Sequence, residues 1–234
     1  MVVKLYAVDI NLPVRPDQYN YWIFRMPEEK RRKIEKFLHT ADKKRSLYGD
    51  VLCRNLVASR LKLDVGDVEM ETNSFGKPFV RRQPPVFFNI SHSGRWVVCA
   101  ISDNEVGVDI EEIKPIDMDI ARRFFTENEY EAIMAHKESE RLDAFYTWWT
   151  LKESYIKHIG KGLSIPLNSF EIIKEGGEYH VTAGECPVVM VSWKRLGQYI
   201  LSVCHSADES CADVCELDIR QFDRTAEMFC GKKA

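Results

Sequence analysis

Residues 105–111, Glu-Val-Gly-Val-Asp-Ile-Glu, alternate without a break between apolar branched side chains and small or acidic ones. A period of two belongs to a strand with one face in a core. Val106, Val108 and Ile110 take the core face; Glu105, Gly107, Asp109 and Glu111 take the other. Such a strand needs packing partners, and the flanking sequence offers them. Phe87–His92 and Trp96–Ser102 read as strands broken at Ser93-Gly94, and residues 1–12 as a weakly alternating strand. Residues 168–205 read as further strands, with hairpin turns at Glu175-Gly176-Gly177 and Gly197-Gln198. Helices are expected at 27–38, which opens on Pro27, Glu28 and Glu29, and from Thr40, as cap, to about Leu63. A third is expected at 127–136 behind the capping box Thr126…Glu129, and a fourth at 140–159, stopped by Gly160 and Gly162. Phe145, Trp148, Tyr155 and Ile159 form the core stripe of the last helix. Strands and helices intermingle without a βαβ rhythm, so the expected fold class is α+β. A boundary at 103–105 divides the 234 residues into 1–104 and 105–234.

Lys plus Arg is 33 and Asp plus Glu is 36, giving a formal charge of −3. That balance argues against a general nucleic-acid binder. The longest apolar run, Trp96–Ile101, is too short to cross a bilayer, and no signal-peptide pattern is visible. Seven cysteines without framework spacing fit reduced thiols in a cytoplasmic protein. Cys204, His205, Cys211 and Cys215 lie near one another but lack the tight C-x2-C pair of zinc sites. No Walker loop, G-x-G-x-x-G or H-E-x-x-H occurs, so ATPase, dinucleotide dehydrogenase and zincin readings lose their usual support.

Asp109 and Glu111 share one side of the pleat, with the small Gly107 leaving room beside them. Two like charges this close repel, and a cation relieves the cost. Oxygen ligands suit Mg2+, or Mn2+. On the last helix Trp149, Glu153 and Lys157 recur every four residues on one face. A tryptophan among charges reads as a half-buried cleft wall, from which Glu153 supplies a third oxygen. His92 ends the polar run Asn89-Ile90-Ser91-His92-Ser93. Lys30, Arg31, Arg32, Lys33, Lys43, Lys44 and Arg45 concentrate positive charge within the first 45 residues. That matches a localised phosphate site, which Lys77 after Gly76 extends.

Asn89-Ile90-Ser91-His92-Ser93, Val106–Glu111, Phe124-Phe125-Thr126 and Trp149–Lys157 stand in order and resemble the signatures of the phosphopantetheinyl transferases. The chain length and the stretch Gly160–Leu167 resemble the Sfp-type branch. The resemblance implies two similar α+β subdomains related by pseudo-twofold symmetry, with the active site in the cleft between them, in a monomer. It implies transfer of the 4′-phosphopantetheine arm of coenzyme A to a serine of an apo acyl or peptidyl carrier protein. Mg2+ is required and 3′,5′-ADP leaves. Asp109, Glu111 and Glu153 match the metal-binding carboxylates, and Glu153 is also the candidate base. His92 and Lys157 match residues that contact the coenzyme A phosphates. Lys30, Lys33 and Arg45 match the 3′-phosphate site. Lys77, Ser91 and Lys152 match further coenzyme-binding positions. Glu129 matches an acidic position near the metal in some members, a role its place in a capping box explains equally well. The competing readings are an Mg-dependent phosphodiester hydrolase and a non-catalytic coenzyme A-binding module.

Overall fold

The computed structural model describes residues 1–182 and 189–222. Along the chain lie β1 (Val2–Asp9), α1 (Pro16–Arg25), α2 (Glu28–Glu35), α3 (Thr40–Leu61), β2 (Glu71–Thr72), β3 (Pro78–Phe79), β4 (Phe87–Ser93), β5 (Trp96–Ser102) and β6 (Gly107–Glu112). Then come α4 (Asp119–Phe124), α5 (Glu127–Met134), α6 (Glu138–Ile159), β7 (Glu171–Glu175), β8 (Glu178–Thr182), β9 (Val189–Leu196), β10 (Tyr199–Ser206) and β11 (Ser210–Leu217). The α+β class holds. Of the strands expected over 168–205, residues 183–188 lie outside the described residues.

Two sheets carry the fold. One has the order β11-β1-β5-β4, the other β6-β10-β9-β8-β7, and β2 pairs with β3 apart from both. The long helix α3 lays Leu47, Tyr48, Leu52 and Leu56 against the first sheet at Val8, Val97 and Cys99. The long helix α6 lays Phe145, Leu151 and Ile156 against the second at Ile172, Val191 and Ile200. Between the sheets, Val3, Leu5, Ala7, Val98 and Ala100 meet Val106, Val108, Ile110, Leu201 and Val203. The layers therefore run helix, sheet, sheet, helix. Strand β5 is apolar at successive positions because α3 covers one of its faces and the second sheet the other.

Several expectations shift. The N-cap of α3 is His39, not Thr40, and the His39 side chain makes no capping hydrogen bond. The capping box at Thr126 forms as expected, with Thr126 Oγ1 accepting from the Glu129 N–H and Glu129 returning to the Thr126 N–H. Helices α1 and α4 add to the four expected, α1 opening on Pro16 with Asp17 in its first turn. In α1, Tyr, Asn, Trp and Phe are weak helix formers. Tertiary packing holds it, with Trp22 edge-on to Tyr48 at 5.9 Å between ring centroids. Strand β11 returns to the first sheet and pairs in parallel with β1, and Ile219 and Phe222 join the core beneath α3. Pairing with β11 covers the edge that β1 would otherwise expose.

Candidate active site

Strand β4 is the edge of the first sheet and β6 the edge of the second, and the two edges meet. Their backbones do not form a ladder. Side chains of β4 satisfy the N–H groups of β6 instead. Asn89 Oδ1 accepts from Val108 N at 2.9 Å, Ser91 Oγ from Ile110 N at 3.3 Å and Ser93 Oγ from Glu112 N at 3.0 Å. The polar alternation Asn89, Ser91, Ser93 is thus a seam between sheets. The two hydroxyls then donate onward, Ser91 to Asp109 Oδ1 at 2.9 Å and Ser93 to Glu111 Oε2 at 2.8 Å. Asn89 and Ser93 were read as motif members without a role. Their period of two, in register with Asp109 and Glu111, is the signal that carries it.

Helix α6 crosses β6 where Gly107 has no side chain. A Cβ there would overlap the Ser154 carbonyl oxygen and the His158 backbone nitrogen. Gly107 therefore does not leave open room, as its small size implied; it lets the helix backbone in. The contact brings the Trp149–Glu153–Lys157 face over the carboxylates of β6. Gly107→Ala is expected to cost stability at or beyond the upper end of the roughly 1–3 kcal/mol of an overpacked core. It should also impair activity, because backbone cannot yield as a side-chain tip does. A thermal melt indistinguishable from the parent would contradict this close approach.

Together these elements line a cavity of about 320 Å³ formed by Ile90, Ser91, His92, Asp109, Glu111, Trp149, Glu153 and Lys157. Lys157 Nζ lies 2.6 Å from Asp109 Oδ1 and 2.9 Å from Ser91 Oγ. Asp109 is 3% exposed, and its Oδ2 is buried without a hydrogen-bond partner among the described residues. Trp149 is half-buried, stacked on Phe145 at 5.8 Å and met edge-on by Phe124 at 6.0 Å. Among the described residues no group of three His, Cys, Asp or Glu side chains stands ready-made to hold a metal ion. The three carboxylates share the cavity while the Lys157 ammonium neutralises Asp109.

Burial pushes the Glu153 carboxyl above its ordinary range, and Asp109 and then Glu111 add to the rise against Lys157. Glu111 rises for the same first cause, then through Asp109, with Ser93 and Lys157 opposing. His92 falls, first through loss of hydration and then through the charges of Lys157 and Arg45. A carboxyl raised on folding holds its proton at pH values where the unfolded chain has lost it. Its contribution to stability is therefore present below the ordinary value of 4.5 and is lost as pH rises through the raised one. Without divalent cations, the parent should lose more melting temperature from pH 4.5 to neutrality than Glu111→Gln/Glu153→Gln does. Parallel curves would mean that the two carboxyls titrate as in the unfolded chain.

Residues 105–204 match the family model of the 4′-phosphopantetheinyl transferase superfamily, and residues 13–104 match that of the N-terminal part of 4′-phosphopantetheinyl transferase. The chain is 37% identical over 205 residues to 4′-phosphopantetheinyl transferase Sfp of Bacillus subtilis, covering 86% of this chain and 92% of that one. The chain belongs to the 4′-phosphopantetheinyl transferase superfamily. It is also 42% identical over 173 residues to 4′-phosphopantetheinyl transferase gsp of Aneurinibacillus migulanus, covering 74% of this chain and 72% of that one. Its activity is 4′-phosphopantetheinyl transfer.

Not every candidate reaches the transferase's cavity. Lys152 is 0% exposed and does not line the cavity. Its Nζ bonds Glu129 Oε1 at 2.6 Å and the Phe170 carbonyl at 2.8 Å. Glu129 Oε1 also accepts from Ile172 N at 2.9 Å. The two residues form a buried pair that ties α5, α6 and β7 together. Lys77 lies outside the lining as well, bonded to Glu105 Oε2 at 2.7 Å and the His158 carbonyl at 2.9 Å. Lys30 and Lys33 sit on α2, apart from the lining, half-buried and exposed respectively. Arg45 on α3 bonds the Gly94 carbonyl at 2.6 Å and Asp42 at 2.5 Å, and its charge reaches His92. The cysteine and histidine cluster is split between the sheets, with Cys204 and His205 on β10 and Cys211 and Cys215 on β11.

Proposed function

We propose that this transferase moves the phosphopantetheine arm of coenzyme A onto a serine of an apo acyl or peptidyl carrier protein, with Mg2+ held by Asp109, Glu111 and Glu153. The observation that carries this reading is the buried Asp109 Oδ2, without a partner among the described residues, in a cavity that Glu111 and Glu153 also line. An unpaired carboxylate oxygen out of water is costly, and an all-oxygen donor set suits a hard cation. Held there, Mg2+ would supply positive charge to offset the negative charge of the pyrophosphate and of the leaving group.

This chain's own residues do the rest. Glu153, raised in pKa, takes the proton from the carrier serine hydroxyl, which is a weak nucleophile at neutral pH. The serine oxygen bonds the β-phosphorus of coenzyme A. The bond from that phosphorus to the bridging oxygen breaks, and its electron pair leaves with 3′,5′-ADP. Lys157 donates to the phosphates from beside Asp109, and neutral His92 donates through one ring N–H. Ser91 and Ser93 hold Asp109 and Glu111 in place. Arg45, with Lys30 and Lys33, supplies positive charge for the 3′-phosphate.

The reading also takes residues 1–104 and 105–234 as two subdomains, supported by separate family-model matches over 13–104 and 105–204. The protein acts as a cytoplasmic monomer without nucleic-acid or membrane partners. The formal charge of −3 speaks against a general nucleic-acid partner, and no helix among the described residues is long and apolar enough to cross a membrane.

The test mixes the protein with coenzyme A, Mg2+ and an apo carrier protein and weighs the carrier by intact mass spectrometry. The expected result is a gain of one phosphopantetheine, abolished by EDTA and restored by Mg2+. Transfer that continues in EDTA would remove the metal from this account. Loss of coenzyme A without carrier present would favour a hydrolase.

A further inference from the structure

We propose that Asn73 and Lys77 are positioning residues: the turn between β2 and β3 caps the C-terminal end of α6 and thereby sets where Lys157 and Glu153 stand. The inference rests on the active-site reading above. A helix end leaves its last carbonyls without intrahelical partners. In α6 the chain leaves the helix at Gly160, φ +74°, and the partners come from far away in sequence. Asn73 Nδ2 donates to the Gly160 carbonyl at 2.8 Å, and Lys77 Nζ to that of His158 at 2.9 Å. An ammonium at this end also opposes the negative pole of the helix.

The turn is built to aim these groups. Asn73 Oδ1 accepts from both Phe75 N and Lys77 N at 2.9 Å. Two N–H donors on one atom fix it as the oxygen, so the amide nitrogen must face α6. The Lys77 ammonium also bonds Glu105 Oε2 at 2.7 Å and approaches the Val106 carbonyl at 3.4 Å, where β6 begins. One cation thus joins the end of the element bearing Glu153 and Lys157 to the start of the element bearing Asp109 and Glu111. The side chain is 15% exposed, with its donors spent on protein oxygens. Gly160 is required twice, for its positive φ and because a Cβ would stand 2.7 Å from Lys77 Cδ. Lys157 lies in the same final turn as His158, so loosening this turn displaces its ammonium first.

The experiment compares Lys77→Met, Asn73→Ala and Lys77→Arg with the parent in steady-state transfer to an apo carrier. Hydrogen exchange over residues 150–162 is measured alongside. The expected result is a kcat lowered about 10- to 100-fold in the first two, as for a displaced catalytic group. The KM for coenzyme A should stay within roughly twofold of the parent. Lys77→Arg should recover most of kcat, and exchange should rise in the last turn of α6 in the two impaired variants. A raised KM with unchanged kcat would make Lys77 a direct coenzyme contact and overturn the proposal. Unchanged exchange at α6, or a kcat loss that vanishes once rates are scaled to folded protein, would overturn it too. Glu153→Gln is run in parallel. If it keeps the parent rate, the active-site reading fails, while the exchange data still report whether the turn caps the helix.

Discussion

Glu153→Gln is expected to lower the rate of phosphopantetheine transfer by about 10²–10⁴-fold, the range a positioned general base contributes. The amide keeps the shape of the side chain but can neither take the serine proton nor lend a negative charge to the metal. Stability should not fall with activity. Glu153 carries a carboxyl whose ionisation is opposed by burial and by Asp109. Making it neutral removes that cost, so the melting temperature should hold or rise at neutral pH. Single-turnover transfer followed by intact mass, beside a thermal melt, reads both quantities. A parent-like rate with unaltered metal dependence would take Glu153 out of both roles. A steep loss of melting temperature would instead make it a structural residue. The opposite movements of rate and stability are the mark of a group held at a cost for its chemistry.

Lys152→Met is expected to be the most destabilising of these changes, at about 3–5 kcal/mol, because it leaves a buried charge without its partner. Glu129 is 1% exposed and would keep only the N–H groups of Thr126 and Ile172. At roughly 2–4 °C per kcal/mol for a chain of this size, the melting temperature should fall by about 6–20 °C. Burial already pushes the Lys152 pKa down, against the pull of Glu129, so even the intact pair carries a desolvation cost. Adding Glu129→Gln should therefore recover part of the loss: the amide oxygen still accepts an N–H and no charge is left stranded. The KM for coenzyme A of the folded fraction should not change. A small thermal effect with a raised KM would return Lys152 to the coenzyme site.

Lys152 and Glu153 show how much of the site was legible. They are neighbours in a motif that resembles one family signature, and the resemblance gave both a ligand-facing role. Successive helical residues point about 100° apart, so they cannot share a face. The spacing of four among Trp149, Glu153 and Lys157 was the sounder guide, and those three do line the cavity. Lys77 lies outside the lining for a different reason. A lysine stem is long and flexible, and its position in the chain does not say which oxygens its ammonium will find. Arg45 sits near His92 because α3 packs across the turn between β4 and β5, a contact no local pattern encodes.

Local chemistry is what the sequence alone determined. The period of two at 105–111 put Asp109 and Glu111 on one side of a strand whose other side is core. The Thr126 box and Gly160 set two helix ends, and the ordered motifs gave the family. Those features depend on neighbours within a few residues, where φ/ψ preference and side-chain direction suffice. Tertiary structure decided what each face meets. It joined two sheet edges through Asn89, Ser91 and Ser93 and drove α6 onto Gly107. It also returned β11 to the first sheet and sent Lys152 into the core rather than the cavity. Each of these is a contact between segments far apart in the chain, chosen because a buried N–H, carbonyl or charge must find a partner wherever the fold supplies one.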